Sequence, residues 1–106
     1  MNADKFTQKT IETIQTAQSM AQENGNQYLT PEHLLYALVD ADGGLIGTLL
    51  GRMGVDCNAV LSELDTAIDQ LPKVSGGSGE VYASPETSKI FNFAEREAKS
   101  GGDAYV

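Results

Sequence analysis

Apolar residues recur at helical spacing along most of the chain, and this pattern predicts an all-helical protein. In the first segment they fall three or four positions apart between polar residues, so they share one face of a helix. Thr7 stands at the N-cap position, and Gly25 stands where helices often end in a left-handed residue. We therefore expect a helix from Gln8 to about Asn24, whose apolar face holds Ile11, Ile14, Ala17, Met20 and Ala21.

A second helix is predicted to begin at Thr30-Pro31-Glu32, where a capping hydroxyl precedes a proline and an acidic residue. Proline suits the first helical position because its missing N–H group would have no partner there, and glutamate complements the helix dipole. The residues that follow are almost all apolar, so we expect this helix to lie centrally in the core. They are Leu34, Leu35, Tyr36, Leu38 and Val39.

Two further helices are expected between Gly44 and Pro72. The first is short and apolar and ends at Gly54. The second begins after Asp56, which can cap it, and runs from about Cys57 to Leu71. Proline ends this helix because it lacks an N–H group and disfavours the helical conformation in the residue before it.

A fifth helix is predicted from Ser84-Pro85-Glu86, which repeats the earlier order of cap, proline and acid, to about Lys99. Phe93 lies about 60° beyond one edge of its apolar face at 100° per residue, so it could be either a core-edge residue or an exposed contact. The face itself is expected to be buried and consists of Ile90, Phe91, Ala94 and Ala98.

The sequence matches itself at a fixed offset, which indicates one supersecondary unit used twice. Thr10 falls on Thr87, a shift of 77 positions, and Thr7 falls on Ser84. The second copy stops at Val106, so we expect one complete four-helix repeat and only the first helix and turn of a truncated second one. At the same offset, Ile14 falls on Phe91, Ala17 on Ala94, Ala21 on Ala98, Gly25 on Gly102, Asn26 on Asp103, Tyr28 on Tyr105 and Leu29 on Val106.

The chain divides accordingly into a first repeat at 1–71, a Gly-rich linker at 72–83, and a partial second repeat at 84–106. The fifth helix lacks most of the partners that the first repeat supplies to its own first helix. We expect it to pack on the first helix, or on another copy of the chain through an exchanged segment.

Charge and cysteine content narrow the classes of partner. The 106 residues include 7 Lys and Arg against 15 Asp and Glu, which gives a formal net charge of -8. This balance argues against nucleic acid and against an anionic membrane surface, since both require a basic face. Cys57 is the one cysteine, so no internal disulfide can form, and a reducing, cytoplasmic location is the simpler interpretation.

Several motifs together resemble the Clp N domain family. They are Phe6-Thr7, Thr30-Pro31-Glu32-His33-Leu34-Leu35, Gly43-Gly44, Leu71-Pro72-Lys73-Val74, and Gly76 to Gly79 before Ser84-Pro85-Glu86. The resemblance covers nearly the whole chain in order. The Leu-Pro-Lys-Val segment and the Gly-rich linker look like the disaggregase branch of the family rather than its protease-associated branch.

The resemblance implies a pseudo-symmetric bundle of two four-helix repeats, tethered to a hexameric ATPase ring. It implies a non-catalytic module that binds unfolded or aggregated polypeptide and passes it to that ring. No cofactor is expected in this chain, because ATP and magnesium would belong to the ATPase domains. The alternative within the family is an adaptor-docking domain of a protease-associated unfoldase.

Four residues are expected to bind substrate. The resemblance associates the positions of Thr7 and Asp103 with substrate handling, although both residues also suit purely local roles as a helix cap and a turn residue. Phe91 and Phe93 could form part of a groove for extended apolar peptides, although Phe91 is more typical of a core residue. The acidic charge would favour clients with basic or neutral flanks.

No catalytic arrangement emerges from the remaining residues. His33 is the one histidine, so a zinc site or a histidine-activated Cys57 lacks partners, and both residues are interpreted as structural. The glycines at 76–79 lack the spacing of a phosphate-binding loop. A carrier protein would need an Asp-Ser-Leu attachment site, which is absent from the sequence.

Overall fold

Five helices and two short strands make up the regular structure in the computed structural model, which describes residues 7–41, 45–74 and 80–100. The predicted all-helical class is confirmed with one addition, a pair of two-residue strands. The elements in chain order are α1 (Gln8–Glu23), β1 (Tyr28–Leu29), α2 (Pro31–Asp40), α3 (Leu45–Arg52), α4 (Cys57–Asp69), β2 (Tyr82–Ala83) and α5 (Pro85–Ser100).

The first helix begins and ends as predicted. The Thr7 hydroxyl oxygen accepts a hydrogen bond of 3.2 Å from the Thr10 N–H group, which is one of the first-turn donors without a helical partner. Gly25 follows the helix with a φ of 75°, a left-handed conformation that glycine adopts without steric cost. The face turned to the core is made of Ile14, Ala17 and Ala21.

The second helix is central to the bundle but is not buried on all sides. It packs against α1, α3 and α4. Its buried side chains are His33, Leu34, Ala37 and Val39. Leu35 and Leu38 remain 43% and 40% exposed, so the central position of the helix does not bury its whole apolar run. The reason is geometric: the helices that pack against α2 cover only part of its circumference.

Turn and capping residues determine where the third helix ends and where the fourth begins. Gly54 has a φ of 80°, and the Asp56 carboxylate accepts a 3.0 Å hydrogen bond from the Asn58 N–H group at the start of α4. The helix ends at Asp69, two residues before the predicted end, and Gln70 forms its C-cap. This is the direction expected of a helix that approaches Pro72, because proline restricts the residue before it.

The two strands join the first repeat to the beginning of the second. They run parallel, with Tyr28 opposite Tyr82 and Leu29 opposite Ala83. The Tyr82 and Ser84 N–H groups each donate a 3.0 Å hydrogen bond, to the carbonyls of Gln27 and Leu29 respectively. Two residues are too few to show an alternating pattern, so periodicity could not predict this pairing.

The fifth helix is anchored by Phe91. This side chain is 8% exposed and belongs to the central core cluster together with Ile14, Ala17, Leu29, Leu34 and Ala37. Ile90 was expected in the same buried arc but is 45% exposed, because no described helix covers its side of α5. Ala94 is half-buried, and the side chain of Ala98 lies outside the described ones.

The internal repeat is visible in the hydrogen bonding of two helix starts. Ser84 accepts a 3.1 Å hydrogen bond from the Thr87 N–H group, as Thr7 does from Thr10 one repeat earlier. In each pair the two hydroxyl oxygens also lie 2.9 Å apart. The same cap is therefore built twice, at positions that the 77-residue offset equates.

Candidate functional site

An open groove of about 420 Å³ lies between α1, α2 and α5. Its floor is formed by side chains that also belong to the core, namely Ile14, Leu34 and Phe91. Its rim carries apolar side chains that remain substantially exposed, Leu35 and Leu38 from α2 and Ile90 from α5. A concave, largely apolar surface of this kind is suited to binding apolar groups rather than to acid–base chemistry.

The α1 side of the groove is formed by threonines. Thr10 and Thr13 line it. The Thr13 hydroxyl donates a 3.0 Å hydrogen bond to the Lys9 carbonyl within its own helix, so its hydrogen is already engaged.

The four residues expected to bind substrate fall in different places. Phe91 lies in the floor of the groove, and Thr7 lies beside it, since its hydroxyl is 2.9 Å from that of the groove residue Thr10. Phe93 is 58% exposed on α5 and does not line the groove. Asp103 lies outside the described residues.

Sequence reasoning missed the rim of the groove. Leu35 and Leu38 were assigned to the core, as was Ile90, although all three are exposed to solvent by 40–45%. A signal was present in α2, whose apolar residues occupy more of the helix circumference than one buried face requires. Such an excess indicates a second apolar contact surface.

The internal repeat places a polar residue at the position equivalent to Ile90. The groove brings equivalent residues of the two copies together, Thr13 with Ile90 and Ile14 with Phe91. The second pair is apolar in both copies and buried in both. The first pair is threonine in one copy and isoleucine in the other. The second copy therefore presents an apolar side chain to the groove where the first copy presents a polar one.

His33 is buried in a hydrogen-bonded network and is not part of the groove. Its Nδ1 accepts a 3.0 Å hydrogen bond from the Thr30 N–H group, so its hydrogen is on Nε2, which lies 3.0 Å from the Asn26 carbonyl oxygen Oδ1. Asn26 in turn donates 3.1 Å to the Pro72 carbonyl. The ring thus caps α2 and connects it to the chain that follows α4.

Burial lowers the pKa of His33 below its ordinary value of 6.5, and the carboxylate of Glu32 opposes this in part. The neutral ring suits its partners, because a hydrogen on Nδ1 would face the Thr30 N–H group. These contacts agree with the structural interpretation of this histidine.

The described residues contain no cluster that suggests metal chemistry or membrane insertion. No group of three or more His, Cys, Asp or Glu residues among them could hold a metal ion. Cys57 is half-buried, with its sulfur 3.5 Å from the Gly47 carbonyl. In the same part of the chain, no helix combines the length and the apolar character needed to cross a bilayer.

Comparison with known proteins identifies the family. The Clp repeat (R) N-terminal domain matches residues 5–106. The chaperone protein ClpB of Brucella suis is 42% identical over 106 residues, which are all of this chain but 12% of that protein. This chain therefore spans about an eighth of the length of such relatives.

Two solved structures share the fold at lower identity. The Hsp104 N-terminal domain of Candida albicans is 22% identical with a TM-score of 0.85, and the alignment covers 95% of this chain and 66% of that one. The N-terminal domain of the ClpV1 ATPase of Escherichia coli is 19% identical with a TM-score of 0.87, covering 97% and 62%. With the family match over nearly the whole sequence, these findings lead to one conclusion: the chain belongs to the Clp repeat N-terminal domain family.

Proposed function

We propose that this domain captures apolar segments of unfolded or aggregated polypeptides for a ClpB-type chaperone and has no catalytic activity of its own. The proposal is supported by whole-length similarity to ClpB chaperones and by the open groove between α1, α2 and α5. The adaptor-docking alternative has less support, because the relatives at about 40% identity are ClpB proteins.

One observation is the strongest support for this function. Leu35, Leu38 and Ile90 hold apolar side chains half-exposed around a groove whose floor is already part of the core. A contiguous apolar surface on a small domain is a common mark of an interaction site. Covering these side chains with a client's apolar residues removes them from water and favours binding.

The residues expected to bind substrate take defined roles in this proposal. Phe91 supplies the floor of the groove, and Phe93 extends the apolar surface along α5. Thr7 stands at the end of the threonine side through its contact with Thr10. Asp103 is retained as a candidate on the resemblance alone.

The wider assembly follows from the ClpB relationship. We propose that the domain is tethered to a hexameric ATPase ring, that ATP and magnesium bind in that ring, and that the protein works in the cytoplasm. Residues 1–71 would form one complete four-helix repeat, and residues 84–106 the first helix and turn of a truncated second one, joined by the linker at 72–83. The net charge of -8 makes nucleic acids and anionic membranes poor partners.

A matched pair of leucine variants tests the groove. Leu38 lines it and is 40% exposed, whereas Leu49 on α3 is 43% exposed and is not among the lining residues. A fluorescently labelled, permanently unfolded reference protein is titrated with the wild type, Leu38→Ala and Leu49→Ala. We expect Leu38→Ala to weaken binding about fivefold, from the loss of about 1 kcal/mol of apolar contact, and Leu49→Ala to leave it unchanged. Equal affinities for all three folded proteins would contradict the proposal.

A further inference from the structure

Asn24 and Gly25, which directly follow α1, form the sequence pair in which asparagine loses its amide most readily. In such a pair the glycine backbone nitrogen attacks the side-chain carbonyl carbon of the asparagine, and glycine has no side chain to hinder the ring that forms. Asparagine precedes glycine nowhere else in the 106 residues. The chain therefore carries one position at which spontaneous deamidation is intrinsically fast.

The fold has a structural use for both members of this pair. Gly25 has a φ of 75°, where a side chain would be strained. The Asn24 amide nitrogen donates two hydrogen bonds, of 3.0 Å to the side-chain oxygen Oδ1 of Asn26 and of 3.2 Å to the Ile68 carbonyl in the last turn of α4. The asparagine thus ties the end of α1 to α4, and the reactive pair is a consequence of this junction.

The native backbone holds the pair out of reaction geometry. Asn24 has a ψ of 0°, at which its own backbone nitrogen, rather than Cβ, eclipses the Gly25 nitrogen across the Cα–C bond. The five-membered ring requires Cβ in that eclipsed position, so it cannot close without a rotation of ψ. The Gly25 nitrogen must also give up its hydrogen, which is donated at 3.1 Å to the Gln22 carbonyl.

The hydrogen bonds of the amide oppose that rotation, but they do not seal the site. Asn24 is half-buried, and Gly25 is half-buried as well. Local opening at the end of a helix requires less free energy than global unfolding. Separation of the end of α1 from α4 is therefore enough to free the amide, the ψ torsion and the attacking nitrogen together.

The reaction removes the group that closes the junction. A bond forms between the Gly25 nitrogen and Cγ of Asn24, the Cγ–Nδ2 bond breaks, and the nitrogen's hydrogen leaves with the amide as ammonia. Water then opens the cyclic imide to aspartate or isoaspartate. The resulting carboxylate has no hydrogen to donate, and it would face two acceptor oxygens, those of Asn26 and the Ile68 carbonyl.

Asn26 is not free to compensate by turning its own amide. Its Oδ1 lies 3.0 Å from Nε2 of the buried His33, and its Nδ2 donates 3.1 Å to the Pro72 carbonyl. A turned amide would lose both of these contacts, and it would leave buried polar groups without partners. The isoaspartate product is less compatible still, because it adds a carbon to the backbone beside the left-handed Gly25.

We propose that Asn24 is a deamidation site that the native fold keeps unreactive and that local opening of the α1–α4 junction activates. Once formed, the aspartate or isoaspartate weakens the junction and favours further opening. The modification therefore accumulates only in molecules that have opened, and it records that history irreversibly. This site lies within the first repeat and is independent of the groove.

Deamidation rates in three samples test the protection. They are the native chain, the chain unfolded in urea, and a synthetic peptide of residues 19–29, all held at the same mildly alkaline pH. Peptide mapping by mass spectrometry measures conversion at Asn24. We expect the peptide and the unfolded chain to react at similar rates, and the native chain at least about tenfold more slowly, because two hydrogen bonds must break first. Equal rates in the native chain and the peptide would overturn the proposal.

A matched pair of variants tests the effect of the product. Asn24→Asp installs the carboxylate directly, and Asn92→Asp makes the same chemical change at an exposed position on α5. We expect Asn24→Asp to lower the urea midpoint of unfolding and Asn92→Asp to change it little. Equal midpoints for the two variants would contradict the claim that deamidation weakens the junction, even if the native chain proved to be protected.

Discussion

The Thr87 hydroxyl donates a 2.8 Å hydrogen bond to the carbonyl of Leu29, 58 positions earlier in the chain, and both side chains are buried. The same carbonyl accepts a hydrogen bond from the Ser84 N–H group. The bond ties the first turn of α5 to the strand that precedes α2. It therefore positions α5, and with it Phe91 and Ile90, against the rest of the groove.

Thr87→Val tests the importance of this connection. Valine has nearly the same shape but removes a buried hydroxyl, so we expect a loss of about 1–2 kcal/mol in the free energy of unfolding, measured in urea. Thr16→Val is the control, because the Thr16 hydroxyl is exposed and bonds only within its own helix, to the Glu12 carbonyl. Equal effects of the two substitutions would mean that the long-range bond adds nothing specific.

His33 should make stability depend on pH between neutral and mildly acidic conditions. Because its pKa in the folded protein is lowered from 6.5, the unfolded chain binds a proton more readily. The stability that neutral His33 contributes is therefore fully present above about pH 6.5. It is lost as the pH falls below that value towards the pKa of His33 in the folded protein. Urea midpoints of the wild type should decrease from pH 7.5 to 5.5.

His33→Gln removes the titrating group from the same network. We expect this variant to be less stable than the wild type at pH 7.5, and to lose less stability between pH 7.5 and 5.5. If both proteins respond identically to pH over this interval, carboxylates rather than His33 govern the effect.

Thr7 has two separable roles, as a helix cap and as a candidate client contact. Thr7→Ser keeps the capping oxygen, as Ser84 does at the equivalent position, so stability should change little. Thr7→Ala removes the cap and should cost about 1 kcal/mol of unfolding free energy. If the Thr7 methyl group contacts the client, Thr7→Ser will weaken binding of the unfolded reference protein at unchanged stability; unaltered affinity would limit Thr7 to the cap.

Alanine variants of Phe91 and Phe93 should distinguish an effect on stability from an effect on client binding. Phe91→Ala removes a core side chain that is 8% exposed and should cost about 3–5 kcal/mol. Phe93→Ala alters an exposed residue and should change stability by at most about 0.5 kcal/mol. Urea unfolding measures both effects. Reduced client binding by the stable Phe93→Ala protein would support its place in the binding surface, and undiminished binding would remove it.

Helix positions were predictable because the forces that set them act over a few residues. Thr7, Gly25, Gly54 and Asp56 all end or begin helices where the sequence indicated, since caps and left-handed glycines act within one turn. The structural role of His33 was also predictable, because the sequence contains no second histidine to form a metal or catalytic site with it. Its contact with Asn26 was not, nor was the contact of Asn26 with the Pro72 carbonyl, because both depend on the folded path of the chain.

The candidate site was less predictable because exposure is a property of the assembled bundle. Residue type places leucine and isoleucine in the core by default, and Leu35, Leu38 and Ile90 were placed there accordingly. Phe91 and Ile90 are neighbours on one helix, yet one enters the core and the other borders the groove. The direction from which α5 packs against α1 and α2 decides which of the two side chains is buried and which is exposed.

Local spacing, capping residues and the 77-residue repeat were thus enough to establish the helices, their order and the duplication of the unit. The strand pair, the His33 network and the groove arise from contacts between segments far apart in sequence. Short-range patterns record which conformation each segment prefers. They do not record how much of each helix surface its neighbours cover. The groove is present because the neighbouring helices leave part of the apolar surface of α2 and α5 uncovered.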